Sequence, residues 1–260
     1  MAVLRTLGQT AAAALLVVEL AACAPVEEVS DGCRALRFHD QSLVQIAGSS
    51  AFDGLGQLTL EAFVQLESVS GEIHVVSHHD YDNQLGYVIS LYDGGNVCFR
   101  FYDGQQEYFI YGVAPVQAGR WCHLAATYDG LWVQVFVDGV SSGPTPLDGS
   151  LPAPYGGPLR IGSAAYQDGL YVRGLIDEVR LSSVARYTAD FAVPSGPFAL
   201  DAETVGLWAF DEESGQVVED ATDNHPGTLG LSEAVQYDDP ERVSGTCIAD
   251  MAAAIAAPVY

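Results

Sequence analysis

The 260-residue chain has no lysine; its ten basic residues are all arginine and face 34 acidic ones, a net charge of −24 at pH 7. Such a balance repels phosphate backbones and gives no electrostatic grip on anionic lipid, so nucleic acid is excluded as a partner. No apolar run is long enough to span a bilayer as a helix. Helical periodicity is almost absent beyond Leu36. Neither a G-x-S-x-G elbow nor an H-E-x-x-H motif occurs, which removes the sequence basis for a serine hydrolase or a zinc peptidase. Disorder does not explain the charge, because 49% of the residues are hydrophobic and thirteen tyrosines and ten phenylalanines are present.

What is present begins with the N-terminus. Residues 1–22 carry one arginine, Arg5, then Leu15-Leu16-Val17-Val18, and finally Leu20-Ala21-Ala22 in front of Cys23. This resembles the export signal and lipobox of bacterial lipoproteins, with Glu19 as a departure. The resemblance implies cleavage before Cys23, a diacylglyceryl group on that thiol, and residence in the cell envelope, at the outer membrane or cell surface. The alternative is ordinary cleavage after Ala24, which places Pro25 at the terminus. The organisation that follows is a signal peptide over 1–22, a lipidated acidic tether over 23–33, one folded domain over 34–247 and an apolar tail over 248–260.

With Cys23 acylated, Cys33, Cys98, Cys122 and Cys247 remain, an even set suited to an oxidising compartment. Four cysteines allow three pairings. The preferred one joins Cys33 to Cys247 and Cys98 to Cys122, because the first bridge staples the two ends of the domain. Closing so long a loop contributes about 4–5 kcal/mol in the chain-entropy model. The alternative is four buried thiols.

From Leu36 onward, short alternating segments are separated by glycine and aspartate turns, which predicts an all-β sandwich or barrel. In Gln57 to Leu66, alternate residues are apolar. Strands are expected over 85–92 and 97–102 around Asp93-Gly94-Gly95-Asn96, and over 120–128 and 131–137 around Asp129-Gly130. Others are expected over 73–77, 108–111, 159–162, 171–181 and 205–210. The proline-rich stretch 140–158 reads as a long surface loop, and 183–189 as a weak helical turn.

Several of these segments together resemble the concanavalin A-like, laminin-G-like jelly roll. They are Leu58-Thr59-Leu60-Glu61-Ala62-Phe63-Val64, Trp121-Cys122-His123-Leu124-Ala125-Ala126-Thr127-Tyr128-Asp129-Gly130, Gly174-Leu175-Ile176-Asp177-Glu178-Val179-Arg180-Leu181 and Leu207-Trp208-Ala209-Phe210-Asp211-Glu212. The last of them opens the domain in many members of that family and comes late here. The resemblance implies two antiparallel sheets packed face to face with edge loops for ligands.

It also frames the chemistry. Laminarinase-type hydrolases of this shape carry E-x-D-x-x-E, which the chain lacks, and Asp177-Glu178 are adjacent, so in a regular strand their side chains point to opposite faces. The expectation is a protein that is not an enzyme. The resemblance implies a structural calcium with Asp177 as a ligand, and Asp211, Asp220 and Asp223 add hard oxygen donors; alternatively Asp177 caps a turn or pairs with Arg173 or Arg180. The segment Ser77-His78-His79-Asp80-Tyr81-Asp82-Asn83 is read as a polar loop between two strands that contributes His78, His79 and Asp80 to a ligand or transition-metal site. Tyr155, Tyr166 and Tyr171 near glycine-rich turns are candidates for stacking on sugar rings. The functional expectation is a cell-envelope lipoprotein that binds a carbohydrate or a surface protein. A structural envelope protein without a small ligand and a polysaccharide-degrading enzyme are the alternatives.

Overall fold

The computed structural model describes residues 32–147, 152–166, 169–232, 234–245 and 248–256. The export signal, Cys23, most of the acidic tether, Cys247 and the end of the tail lie outside these residues.

Seventeen strands form among the described residues. The first nine are β1 (Arg34–Phe38), β2 (Val44–Ile46), β3 (Leu58–Leu66), β4 (Ile73–Asp80), β5 (Leu85–Tyr92), β6 (Asn96–Tyr102), β7 (Glu107–Tyr111), β8 (Trp121–Tyr128) and β9 (Trp132–Val137). They are followed by β10 (Val140–Ser141), β11 (Thr145–Pro146), β12 (Leu159–Ile161), β13 (Gly174–Ser182), β14 (Thr204–Trp208), β15 (Val217–Val218), β16 (Gly227–Leu229) and β17 (Glu241–Ser244). A nine-stranded sheet runs β10-β9-β8-β3-β13-β1-β17, with β11 beside β9 and β14 beside β13; an eight-stranded sheet runs β15-β16-β2-β12-β4-β5-β6-β7. The two sheets form an antiparallel sandwich, as the alternation predicts, of the jelly-roll kind that the resemblance implies.

Period two writes the layers directly. Leu58, Leu60, Ala62, Val64 and Leu66 of β3 enter the core between the sheets, where they meet Ile89, Phe99 and Phe101 of the facing sheet. Each fully buried side chain of this kind contributes about 1.5–3 kcal/mol relative to exposure. On the outer face of the nine-stranded sheet a second apolar cluster gathers Phe63, Trp121, Leu175, Phe198 and Leu207 under α1 (Ile248–Ala256), whose Ile248, Met251 and Ile255 are buried there. The apolar tail is thus a packed helix over its described part. No helix among the described residues is long and apolar enough to cross a membrane.

Four local expectations are corrected. First, β4 continues through His78 and His79 to Asp80, because Asp80 still pairs with Leu85 across the turn, so the two imidazoles belong to a strand and not to a loop. Second, residues 183–189 form no helix. They are held against the nine-stranded sheet, where Thr59 Oγ1 donates to the Val184 carbonyl at 2.7 Å and Thr127 Oγ1 to the Tyr187 carbonyl at 3.1 Å. Third, the stretch after Val140 is not wholly loop, since β10 and β11 both pair with β9.

The fourth concerns Asp177 and Glu178. Ile176 and Val179 both enter the inter-sheet core, so two residues, not one, lie between consecutive inward positions of β13. A β-bulge against β3, with Glu178 at φ +49°, makes the extra step. Asp177 and Glu178 therefore both leave the core on the same side.

Cys98 and Cys122 are free and buried, which overturns their proposed pairing. Cys122 faces the inter-sheet core from β8, whereas Cys98 points outward from β6 of the other sheet, between the inward Val97 and Phe99, so a sheet separates the two. Burial pushes both thiols up to about 12. Cys33 is disulfide-bonded.

Candidate functional site

The outward face of the eight-stranded sheet is unusually polar and aromatic. Cross-strand register places His74, Ser90, Cys98 and Tyr111 in one row and Ser77, Val88, Arg100 and Phe109 in the next. His79 lies opposite Gly86, and Tyr102 opposite Glu107, in a third. Before Tyr92 the outward residues of β5 are short, and Gly86, Val88 and Ser90 are all buried beneath their neighbours. Gly86 is required at its position: its φ is +79°, and a Cβ there would sit 2.0 Å from the His78 carbonyl oxygen.

Arg100 stands at the centre of this face. Its Nη2 donates to Glu72 Oε1 at 2.9 Å, its Nη1 to Tyr92 Oη at 3.1 Å, and its Nε lies 3.4 Å from Glu107 Oε1. Glu107 Oε1 also accepts from Tyr102 Oη at 2.8 Å. Glu72 Oε1 is 2.8 Å from His74 Nε2. The hydrogen bond to His74, with the Arg100 charge, holds the Glu72 carboxyl below its ordinary range, and His74 Nε2 also lies 3.0 Å from Arg100 Nη2.

The histidines of this face carry no charge at neutral pH. Burial, aided by the Arg100 guanidinium, lowers His74, and burial, with repulsion from His74 whenever that ring is protonated and from Arg100, lowers His79 to about 2. Ser77 Oγ accepts from Ala165 N at 2.9 Å and shares a 2.8 Å hydrogen bond with His79 Nδ1. His79 Nε2 and His74 Nδ1 are buried without a hydrogen-bond partner.

Aromatic side chains stand over this polar floor. Phe109 and Tyr111 stack with centroids 6.4 Å apart and planes 11° apart, and the Arg100 guanidinium lies 5.9 Å from the Phe109 centroid. Tyr92 packs against Tyr111, while Tyr81 packs against Tyr102 and Tyr166 beyond His79. Tyr111, Tyr81 and Phe109 are 51%, 49% and 44% exposed.

The residues expected from sequence divide between this face and elsewhere. His79 and Tyr166 belong to it, with rings 4.9 Å apart. His78 points to the opposite side of β4, among Phe52, Tyr87 and Tyr155, and its Nε2 meets Asp53 Oδ1 at 3.0 Å. Burial lowers His78 despite Asp53. Asp80 is occupied by Asn83, whose N and Nδ2 donate to its two oxygens. Tyr155 is anchored by its backbone N to Asp53 and is half-buried, and Tyr171 stands between two clefts of about 330 and 340 Å³, the second of which includes Glu72 and Arg173. Sequence reasoning missed Glu72, His74, Tyr92, Arg100, Tyr102, Glu107, Phe109 and Tyr111. Alternation in Asn96–Tyr102 and Glu107–Tyr111 is the signal that places Arg100 beside Phe109 and Tyr111.

The acidic set does not assemble into a metal centre. Asp220 accepts from the backbone N of Leu207, Thr222 and His225 and from the Thr222 hydroxyl, so its oxygens organise the turn that carries the exposed Asp223. Asp177 takes neither arginine: Arg180 is on Glu61 and Arg173 on Asp40, while Asp177 Oδ1 accepts from Glu178 N at 2.8 Å. Burial, then the Glu178 charge and Asp211, lifts Asp177 to about 9, and burial lifts Glu178 to about 7. Among the described residues no three His, Cys, Asp or Glu side chains converge to hold a metal ion. Asp211, Asp220 and Asp223 line one cleft of about 530 Å³.

A family model described as the concanavalin A-like lectin/glucanases superfamily, of laminin-G type, matches residues 38–192. No curated protein matches the chain. Among solved structures, a candidate carbohydrate binding protein from Bacteroides ovatus is similar with a TM-score of 0.62 at 18% identity, over 82% of this chain and 60% of the other. The chain thus spans about three fifths of that protein. A heptameric pentraxin from Limulus polyphemus gives 0.50 at 14% identity over 78% and 98% of the two chains, and the CBM40 of a Ruminococcus gnavus sialidase 0.50 at 12% over 59% and 91%. At these identities the likeness is one of fold.

Proposed function

The chain belongs to the concanavalin A-like lectin/glucanases superfamily, and from that premise we propose that it binds a carbohydrate on the outer face of its eight-stranded sheet without cleaving it. The observation that carries this reading is the exposure of Tyr81, Phe109 and Tyr111 around a hydrogen-bonded floor of buried Arg100 and the partly exposed Glu72 and Glu107. Sugar rings stack their C–H faces on such aromatic surfaces, and their hydroxyls donate to carboxylates held at fixed positions. Both kinds of contact are available here within one sheet face.

The proton inventory supports binding without cleavage. A glycosidase needs a carboxylic acid of raised pKa beside the sugar. Glu72 is held in its ionised form by His74 and Arg100. Of the carboxyls that burial raises, Asp177 and Glu178 lie on the outer face of the other sheet, where the Phe198 backbone covers Glu178, and Asp138 and Asp211 follow β9 and β14 of that same sheet.

Export and acylation at Cys23, read from Leu20-Ala21-Ala22-Cys23, complete the proposal: a lipid-tethered binding protein displayed on the envelope. Mass spectrometry of the mature N-terminus tests the tether. For binding, the full chain in a non-glycosidic detergent is titrated against a glycan panel, with Tyr111→Ala and Phe109→Ala beside the wild type. The expected result is binding that each substitution weakens by about tenfold, on the order of 1.4 kcal/mol. Binding that both variants retain unchanged sinks the assignment of this face.

A further inference from the structure

Resting on that reading, we infer that the site takes an uncharged glycan and rejects acidic ones, those bearing uronate, sialate or sulfate. Anionic sugars are held by cations, most effectively by an arginine fork free to meet carboxylate or sulfate. No such fork is free here. Among the described arginines, Arg37, Arg100, Arg173, Arg180, Arg186 and Arg242 each sit on a carboxylate of the chain itself. Arg120 donates to the Ile255 carbonyl, Arg160 to Gln45 Oε1 and the Ala164 carbonyl, and Arg34 is partnered too. Lysine, the other source of positive charge, is absent from the sequence.

On the face itself the balance is negative. One guanidinium, Arg100, stands between two carboxylates, Glu72 and Glu107, and its side chain is 6% exposed where theirs are 28% and 22% exposed. The part of this network that meets solvent is therefore anionic. His74 and His79 add no charge, since burial keeps both imidazoles neutral. An incoming carboxylate meets Glu72 and Glu107 before it reaches Arg100, in the field of a chain of net charge −24. A neutral sugar meets the same two carboxylates as hydrogen-bond acceptors, and stacks on Tyr111 and Phe109 without a charge to desolvate.

Calorimetric titration of the full chain tests this with matched ligands: a neutral oligosaccharide that binds, and the same oligosaccharide carrying one uronate or sulfate. The expected result is an acidic ligand weaker by tenfold or more at low ionic strength, with the gap narrowing as salt screens the repulsion. Affinity for the neutral ligand is expected to stay flat with salt. The variant Glu72→Gln/Glu107→Gln keeps the acceptor oxygens and releases Arg100, and is expected to gain affinity for the acidic ligand. If that variant does not fold, the salt series on the wild type decides alone. Tighter binding of the acidic partner, weakening with salt, overturns this inference and leaves the carbohydrate reading standing. Binding of no glycan at all overturns both.

Discussion

Arg180 gives two hydrogen bonds to a single oxygen of Glu61, 2.8 Å from Nε and 2.6 Å from Nη2, on the outer face of the nine-stranded sheet where both side chains are buried. The other oxygen of Glu61 accepts from Tyr187 Oη at 2.8 Å and meets His123 Nε2 at 3.1 Å. The carboxylate is saturated, and the Arg180 guanidinium lies 4.3 Å from the Phe198 ring centroid. Glu61 thus ties together β3, β13, β8 and the segment 183–191. Removing it as Glu61→Ala leaves a buried unpaired guanidinium and is expected to cost about 3–5 kcal/mol in urea unfolding. The paired change Glu61→Met/Arg180→Met is expected to cost less than that single one. A single substitution within about 1 kcal/mol of wild type contradicts this account.

The same burial that neutralises some groups makes stability depend on pH. Asp177 has a folded value of about 9 against an ordinary 3.8. Between these values the folded protein keeps a proton that the unfolded chain has lost, so stability falls as pH rises toward 9. Glu178 contributes the same slope, but only up to about 7. Below 6.5 the neutral imidazoles act in the opposite sense: His79, at about 2 when folded, refuses a proton that the unfolded chain accepts, and stability falls as pH drops. Between pH 7 and 9 the Asp177 slope is left, about 1 kcal/mol per pH unit. Urea midpoints for wild type are expected to decline over that window, and those of Asp177→Asn to stay level. A wild type that is level from pH 7 to 9 removes the basis for this.

Cys98 and Cys122 are predicted to be unreactive in the folded protein. Both are buried, and burial holds each thiol near 12, so almost no thiolate exists at neutral pH. A maleimide applied to the native chain is expected to leave both unmodified, and applied in denaturant to label both. Peptide mapping that finds either one labelled in the native protein, or the two joined to each other, contradicts the arrangement.

The sandwich was legible because its core obeys period two: Leu58 to Leu66 and Leu85 to Tyr92 announce their inward faces by alternation alone. The site was less so, because it lies on the face where alternation puts polar residues, and polar residues there read as solvated. Nothing local distinguishes Arg100 from a surface arginine until Glu72, 28 residues away, arrives at its Nη2. His78-His79 looked like a loop cluster because two imidazoles and two aspartates suggest exposure, whereas strand pairing sends the rings to opposite faces. Asp177-Glu178 misled for the converse reason, since a bulge is invisible in a sequence that otherwise alternates.

Gly86 offers a test of whether the face is as tightly built as its register implies. It sits in β5 opposite His79, with φ +79°, and the space a Cβ would need is taken by the His78 carbonyl at 2.0 Å and the His79 Cα at 2.8 Å. Its own N–H donates to the Ala153 carbonyl at 2.9 Å, which ties the 152–158 segment to the sheet. Gly86→Ala therefore strains the backbone and forces β4 away from β5 at the end of the face that carries His79 and Tyr102. The left-handed φ alone costs about 1 kcal/mol, and displacement of the strand raises the total to roughly 2–4 kcal/mol. Thermal unfolding followed by near-ultraviolet circular dichroism, which reports on the packed tyrosines, is expected to show a lowered Tm together with a diminished native signal. Because the strain falls beside His79 and Tyr102, glycan affinity is expected to drop even below the new Tm, whereas Gly119→Ala, also at positive φ but with open space around its Cβ, leaves that affinity unchanged.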